Sequence, residues 1–268
     1  MPAFLYFYPK PTVMKISLIQ TSLIWENASA NRDNFERLIN GFQEETDIIL
    51  LPEMFSTGFT MEPATVAESM EGETIQWMRA MAVARDCAVA GSIVIAENGN
   101  HYNRFLFVSP EGEMKMYDKR HLFSLAGENN AYTAGVDRVI IEYRGWKICL
   151  LVCYDLRFPV FSRNTEDFDL LLYVANWPAP RIHAWDTLLK ARAIENMCYV
   201  AGVNRIGQDN NGHNYPGHSQ VVDFLGANVV APSDSEGVFT VEMNKQSMLE
   251  TRKKFDFLSD RDSFSLQD

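Results

Sequence analysis

WKICLLVCYDLRFP, residues Trp146–Pro159, carries the reading of this chain. The apolar run Ile148–Val152 leads straight into Cys153, and the sequence then turns polar through Tyr154, Asp155, Leu156, Arg157, Phe158 and Pro159. That pattern predicts a buried strand that ends in a sharp turn, with a thiol at its carboxyl end. Open α/β sheets keep their chemistry at such ends, and a tight turn after a strand holds a nucleophile rigidly in a cleft. On this stretch alone a plainer reading stands beside it: Cys153 as one more small buried hydrophobe.

Working outward, Val139–Tyr143 and Lys147–Val152 form a hairpin over Arg144-Gly145. Strands are also predicted at Lys15–Leu18, Asp47–Leu51, Ala88–Ala96, Tyr102–Val108, Met114–Tyr117, Phe168–Ala175, Tyr199–Val203, Ser219–Phe224 and Val229–Val230. Phe35, Leu38, Ile39 and Phe42 mark one helical face, Ile75, Met78 and Ala82 a second, and Trp185, Leu188, Leu189, Ala193 and Met197 a third. Residues 124–137 read as a loop, and the tail from about Asn244 as a peripheral helix or arm. Strands joined partly by helices and partly by hairpins mean mixed sheets. The fold class is α/β, and the pattern fits two packed sheets with helices outside them.

The chain has 268 residues and a formal net charge of -11. It contains no linker-like stretch and no run of like charge, which favours one domain from residue 14 to 268. Residues 1–13, with three prolines, read as an N-terminal extension, disordered or the product of an upstream start codon. An acidic chain without a basic patch is a poor partner for nucleic acid or anionic membrane. Phe4–Tyr8 is too short to span a bilayer. The four cysteines, Cys87, Cys149, Cys153 and Cys198, form neither a disulfide framework nor a metal pattern and suit a reducing cytoplasm. Cys149 and Cys198 are expected in the core.

Glu53, Lys119 and Cys153 each follow a short strand directly. If those strands are neighbours, a carboxylate, an ammonium and a thiol converge at one sheet edge. A thiol must lose its proton to attack a carbonyl carbon. A partly buried glutamate can take that proton and return it to a leaving amine. An ammonium, with the backbone N–H of Tyr154, can stabilise the oxyanion. A Cys–His dyad with His183 or His218 would leave the glutamate and lysine segments unexplained. His213 and His218 lack a third clear ligand, which argues against a metal site.

Pro52-Glu53-Met54, Tyr117-Asp118-Lys119-Arg120-His121-Leu122-Phe123 and Cys149–Pro159 resemble the three catalytic blocks of the nitrilase (carbon–nitrogen hydrolase) superfamily. The resemblance runs from Met14 to about Phe239. It implies a four-layer α-β-β-α sandwich, no metal or organic cofactor, and homodimers or larger homo-oligomers. It also implies a Glu-Lys-Cys triad: Glu53 as general base, Lys119 as oxyanion stabiliser, Cys153 as nucleophile, with Glu128 as a second glutamate near the site. Glu53–Phe59, Cys153–Pro159 and Asn176-Trp177-Pro178 are similar to the omega-amidase branch, which hydrolyses terminal amides of short dicarboxylic acid monoamides such as 2-oxoglutaramate and succinamate. Such a substrate needs a cation for its second carboxylate. Arg157 is the candidate, unless it pairs with Asp155 and supports the turn. Trp177 and Phe59 are candidate pocket walls. Competing expectations are another substrate for the same triad (a nitrile, an N-carbamoyl amino acid or a deaminated peptide amide) and a catalytically quiet scaffold.

Overall fold

The computed structural model describes residues 12–266. Its first half holds strands β1 (Val13–Gln20), β2 (Ile48–Leu50), β3 (Ala88–Glu97), β4 (Asn100–Val108) and β5 (Met114–Asp118), with helices α1 (Ala28–Gly41), α2 (Pro63–Val66) and α3 (Glu73–Arg85) between them. A single helical turn, α4 (Glu128–Ala131), precedes β6 (Ile140–Tyr143), β7 (Trp146–Val152) and β8 (Leu170–Ala175). Helix α5 (Ile182–Asn196) leads to β9 (Tyr199–Asn204), β10 (Ile206–Gln208), β11 (Asn214–Pro216), β12 (Gln220–Val222), β13 (Asn228–Val230) and β14 (Gly237–Asn244). Helix α6 (Lys245–Phe255) follows.

The strands form two six-stranded sheets, ordered β14-β1-β2-β3-β4-β5 and β13-β12-β9-β8-β7-β6, with β10-β11 as a separate hairpin. In each sheet three central strands run parallel, β1-β2-β3 and β7-β8-β9, and antiparallel strands flank them on both sides, joined by hairpins only at β3–β4 and β6–β7.

Side-chain alternation explains the layering. Ile16, Leu18, Ile48, Leu50, Ala88, Ala90, Phe105 and Phe107 pack in the core shared with Ile148, Leu150 and the other β7–β9 residues. Their neighbours Ile19, Ile49, Leu51, Val89, Leu106 and Val108 point the other way, onto Phe35 and Ile39 of α1 and Ile75, Met78 and Ala82 of α3. Because alternate residues face opposite sides of a strand, these sheets are buried on both faces. Trp185, Leu189 and Ala193 of α5 cover the outside of the second sheet. The result is the four-layer α-β-β-α sandwich.

Some boundaries differ from the sequence reading. Val13 already pairs with Asn244 as the first residue of β1; residues 1–11 of the proposed extension lie outside the described residues. The stretch 124–137 is not all loop, since a 3-10 turn at Ser124–Ala126 and α4 interrupt it. The β10–β11 hairpin and the eight-residue edge strand β14 were not predicted. Among the described residues no helix is long and apolar enough to cross a membrane.

Candidate active site

Three chain segments meet where the two sheets touch at one edge. The first leaves β2 through Pro52-Glu53-Met54. Ser92 of β3 holds this turn twice: its hydroxyl accepts from Met54 N at 2.9 Å and its carbonyl from Phe55 N at 3.1 Å. Met54 stands at φ 43, a left-handed conformation uncommon for a side-chain-bearing residue. The second segment continues β5. The Lys119 N–H donates to the Asn103 carbonyl of β4, and the Lys119 carbonyl accepts from Gly135. Gly135 packs so closely there that a methyl group would collide with the Asp118 carbonyl oxygen. The third segment is the turn after β7, a short 3-10 helix, Cys153–Arg157, with Cys153 itself at φ 44. Strained backbone of this kind clusters at functional sites.

Asp155 fixes that third turn. Its buried carboxylate accepts from Val152 N at 2.8 Å, from the Tyr117 hydroxyl at 2.8 Å and from His121 N at 3.1 Å, with His121 Nδ1 2.7 Å away. The alternative that Arg157 pairs with Asp155 is therefore overturned: Asp155 is occupied by other donors. Arg157 has no acid partner among the described residues, and its guanidinium lies 5.1 Å from the centre of the Trp177 ring.

The ionisable cluster is compact. Lys119 Nζ donates to Glu53 Oε1 at 2.8 Å and to both Glu128 oxygens, at 3.0 and 2.9 Å. Asn103 Nδ2 reaches Glu53 Oε1 at 2.8 Å and Glu128 Oε1 at 3.3 Å. Glu53 Oε2 accepts from Asn176 N at 2.8 Å, and the Glu53 carbonyl from Asn176 Nδ2 at 2.6 Å. Glu128 Oε2 accepts from Phe123 N at 2.6 Å. Glu53 and Glu128 are both fully buried.

Burial works against the Lys119 ammonium, but Glu128, Glu53 and Cys153 outweigh it, so its pKa is raised and the charge is kept. Burial raises the Glu128 carboxyl against the opposing pull of Lys119. Burial also pushes the Cys153 thiol well up. The Glu53 charge adds to this, and Lys119 opposes it. Burial thus favours the neutral thiol over the thiolate at Cys153.

Cys153, Lys119, Tyr154, Phe59, Arg157 and Trp177 line one cavity of about 590 Å³, and Glu53 and Glu128 stand behind them. The Phe59 ring centre lies 5.2 Å from Lys119 Nζ. Tyr154 is the second residue of the 3-10 helix, in its first turn, where the backbone N–H groups have no partner within the helix. All the site residues named from sequence are therefore gathered in one place. Cys87, Cys149 and Cys198 are buried elsewhere. His218 pairs with Asp186, Nδ1 to Oδ2 at 2.9 Å, and does not line the cavity. Among the described residues no group of three or more His, Cys, Asp or Glu side chains is placed to hold a metal ion.

Sequence reasoning missed Asn103, Arg181 and the wall formed by the β10–β11 hairpin, including Asp209, His213 and Tyr215. It noted Asn176 only as part of a triplet and gave it no role.

Comparison with known proteins points the same way. The family model described as carbon-nitrogen hydrolase matches residues 15–253. The chain is 46% identical over 256 residues to omega-amidase YafV of Yersinia enterocolitica, covering 95% of this chain and 99% of the relative. It is 32% identical over 250 residues to a 2-oxoglutaramate amidase of Bacillus subtilis, covering 91% of this chain and 96% of the relative. The crystal structure of a CN-hydrolase superfamily protein from Xanthomonas campestris, with an arsenic adduct in its active site, superposes with a TM-score of 0.93. The two are 43% identical, and the match covers 95% of this chain and 99% of that one.

Proposed function

The chain belongs to the carbon–nitrogen hydrolase family, and from that membership we propose that it is an omega-amidase releasing ammonia from the terminal amide of short dicarboxylic acid monoamides, 2-oxoglutaramate and succinamate among them. One observation carries the chemistry: Lys119 Nζ donates to Glu53 Oε1 at 2.8 Å, where both groups act electrostatically on the Cys153 thiol. The likeness to an omega-amidase and a 2-oxoglutaramate amidase over nearly the whole chain supports the substrate class.

In the proposed reaction Glu53 takes the Cys153 proton as sulfur attacks the amide carbon. The carbonyl oxygen becomes an oxyanion, which the Lys119 ammonium and the Tyr154 N–H stabilise. Glu53 passes its proton to nitrogen, the C–N bond breaks, and ammonia leaves behind a thioester. Glu53 then takes a proton from water as the water oxygen attacks the thioester carbon. The C–S bond breaks, the acid departs, and the proton returns to sulfur. Glu128 holds Lys119 in place. Arg157, braced on Trp177, receives the far carboxylate. The same reading includes a cytoplasmic homodimer or larger homo-oligomer.

The test is a panel of succinamate, 2-oxoglutaramate, glutamine, asparagine, an N-carbamoyl amino acid and a simple nitrile, with ammonia as the readout. Release confined to the two omega-monoamides is expected. Faster release from the N-carbamoyl compound or the nitrile would overturn the substrate assignment.

A further inference from the structure

We propose that Arg181 is a second anchor for the far carboxylate of the substrate, acting together with Arg157; this rests on the omega-amidase reading above. Arg181 ends the short turn Ala179–Arg181, which follows Asn176-Trp177-Pro178. The strand that brings Asn176 to Glu53 therefore also delivers this guanidinium to the cavity that Cys153 opens into.

The backbone of Arg181 is pinned while its head group stays available. Its N–H donates to the Pro178 carbonyl at 3.0 Å, and its carbonyl accepts from Trp177 Nε1 at 2.8 Å. Its guanidinium lies 5.1 Å from the centre of the Phe123 ring, as that of Arg157 lies 5.1 Å from the centre of the Trp177 ring. Two guanidinia thus rest on two aromatic walls of one cavity.

Their lack of acid partners is what points to an anion. In this acidic chain Arg32, Arg104, Arg138, Arg144, Arg192 and Arg261 each hold a carboxylate. Arg37, Arg79, Arg85, Arg163 and Arg205 hold none, but each of their guanidinium groups donates to an amide or carbonyl oxygen; among the described residues the Arg157 and Arg181 guanidinium groups have neither kind of acceptor. Two acids of the same cavity are already engaged: Asp209 by the Tyr215 hydroxyl at 2.9 Å and the N–H groups of Asn211 and His213, and Glu26 by the Thr60 hydroxyl at 2.5 Å. A planar guanidinium suits a carboxylate, and stacking on a ring orders it before the substrate arrives. Phe123 also ties the anchor to the chemistry, because its N–H donates to Glu128 Oε2 at 2.6 Å.

The test compares succinamate with butyramide, a neutral amide of the same chain length, in wild type, Arg181→Gln, Arg181→Lys and Arg157→Gln. Arg181→Gln is expected to lower kcat/KM for succinamate about tenfold, mostly through KM, and to change butyramide turnover less than about twofold. Arg181→Lys restores part of the loss. Calorimetric binding of succinamate to Cys153→Ala gives an independent reading: adding Arg181→Gln weakens Kd about tenfold. Equal losses on both amides, or an unchanged Kd, would overturn the proposal. A wild type with no preference for succinamate would overturn the omega-amidase reading as well. A preference that survives Arg181→Gln intact would remove Arg181 alone.

Discussion

Tyr117 donates its hydroxyl to Asp155 Oδ2 at 2.8 Å, and this bond joins the strand that delivers Lys119 to the turn that delivers Cys153. Oδ2 also accepts from Val152 N at 2.8 Å, so one oxygen serves both segments. Asp155→Asn replaces a charged acceptor with a neutral amide and turns one acceptor face into a donor. Displacing reacting groups by about 1 Å can cost on the order of a hundredfold in rate. We expect kcat for Asp155→Asn to fall by at least about tenfold, and Tyr117→Phe to cost about 1 kcal/mol of stability with a smaller loss of kcat. Steady-state kinetics with chemical denaturation checks both. Full activity in Asp155→Asn would show that the brace is dispensable.

Glu128 touches Lys119 through both oxygens, at 3.0 and 2.9 Å. Glu128→Gln keeps the shape and removes a charge that steadies a fully buried ammonium. If Lys119 stabilises the oxyanion, its misplacement should lower kcat by about a hundredfold, the usual cost of losing one such donor. KM for succinamate should move little if Arg157 and Arg181 hold the far carboxylate. A large KM effect with kcat unchanged would assign Glu128 to substrate binding instead.

The Cys153 thiol is pushed well up, first by burial and then by the Glu53 charge. It should therefore remain protonated through neutral pH and ionise only as it attacks. The ultraviolet thiolate absorbance of wild type minus that of Cys153→Ala should show no step between about pH 6 and 9. A step near pH 7 would mean a preformed thiolate, and Glu53 would then not be needed as its base.

Two other cysteines bear on stability. Burial pushes both Cys87 and Cys149 up to about 12, from an ordinary value of 9.0. Below about pH 9 both are protonated in the folded and unfolded chains alike, and their contribution is fully present. Above it the unfolded chain sheds protons that the folded chain retains, so stability falls as pH rises from 9 toward 12. Denaturation midpoints taken across that range should decline, and Cys149→Ala should flatten part of the decline.

The proposed trio of Glu53, Lys119 and Cys153 was legible because each member closely follows a short strand, and such ends converge in packed α/β sheets. Asn103 was not, because it lies inside β4, where nothing separates an active-site amide from an ordinary strand residue. Arg181 hid for a related reason: a charged residue between a proline turn and a helix reads as solvent-exposed until the cavity is seen. The β10–β11 hairpin has strands of three residues each, too short for an alternating pattern to register. Edge strand β14 is only half-buried along most of its length, so its apolar signal is weak. Strand and helix periodicity alone supports α/β without fixing four layers; the resemblance implied them, and alternate residues of β1–β4 packing into two different cores bear them out.

The most direct measurement is ammonia release from succinamate and 2-oxoglutaramate by wild type and by Cys153→Ala, matched for folding. Wild type should release ammonia from both, and Cys153→Ala should release none above the uncatalysed rate. Undiminished release by the variant would refute a Cys153 nucleophile, and no release by wild type would refute the omega-amidase function.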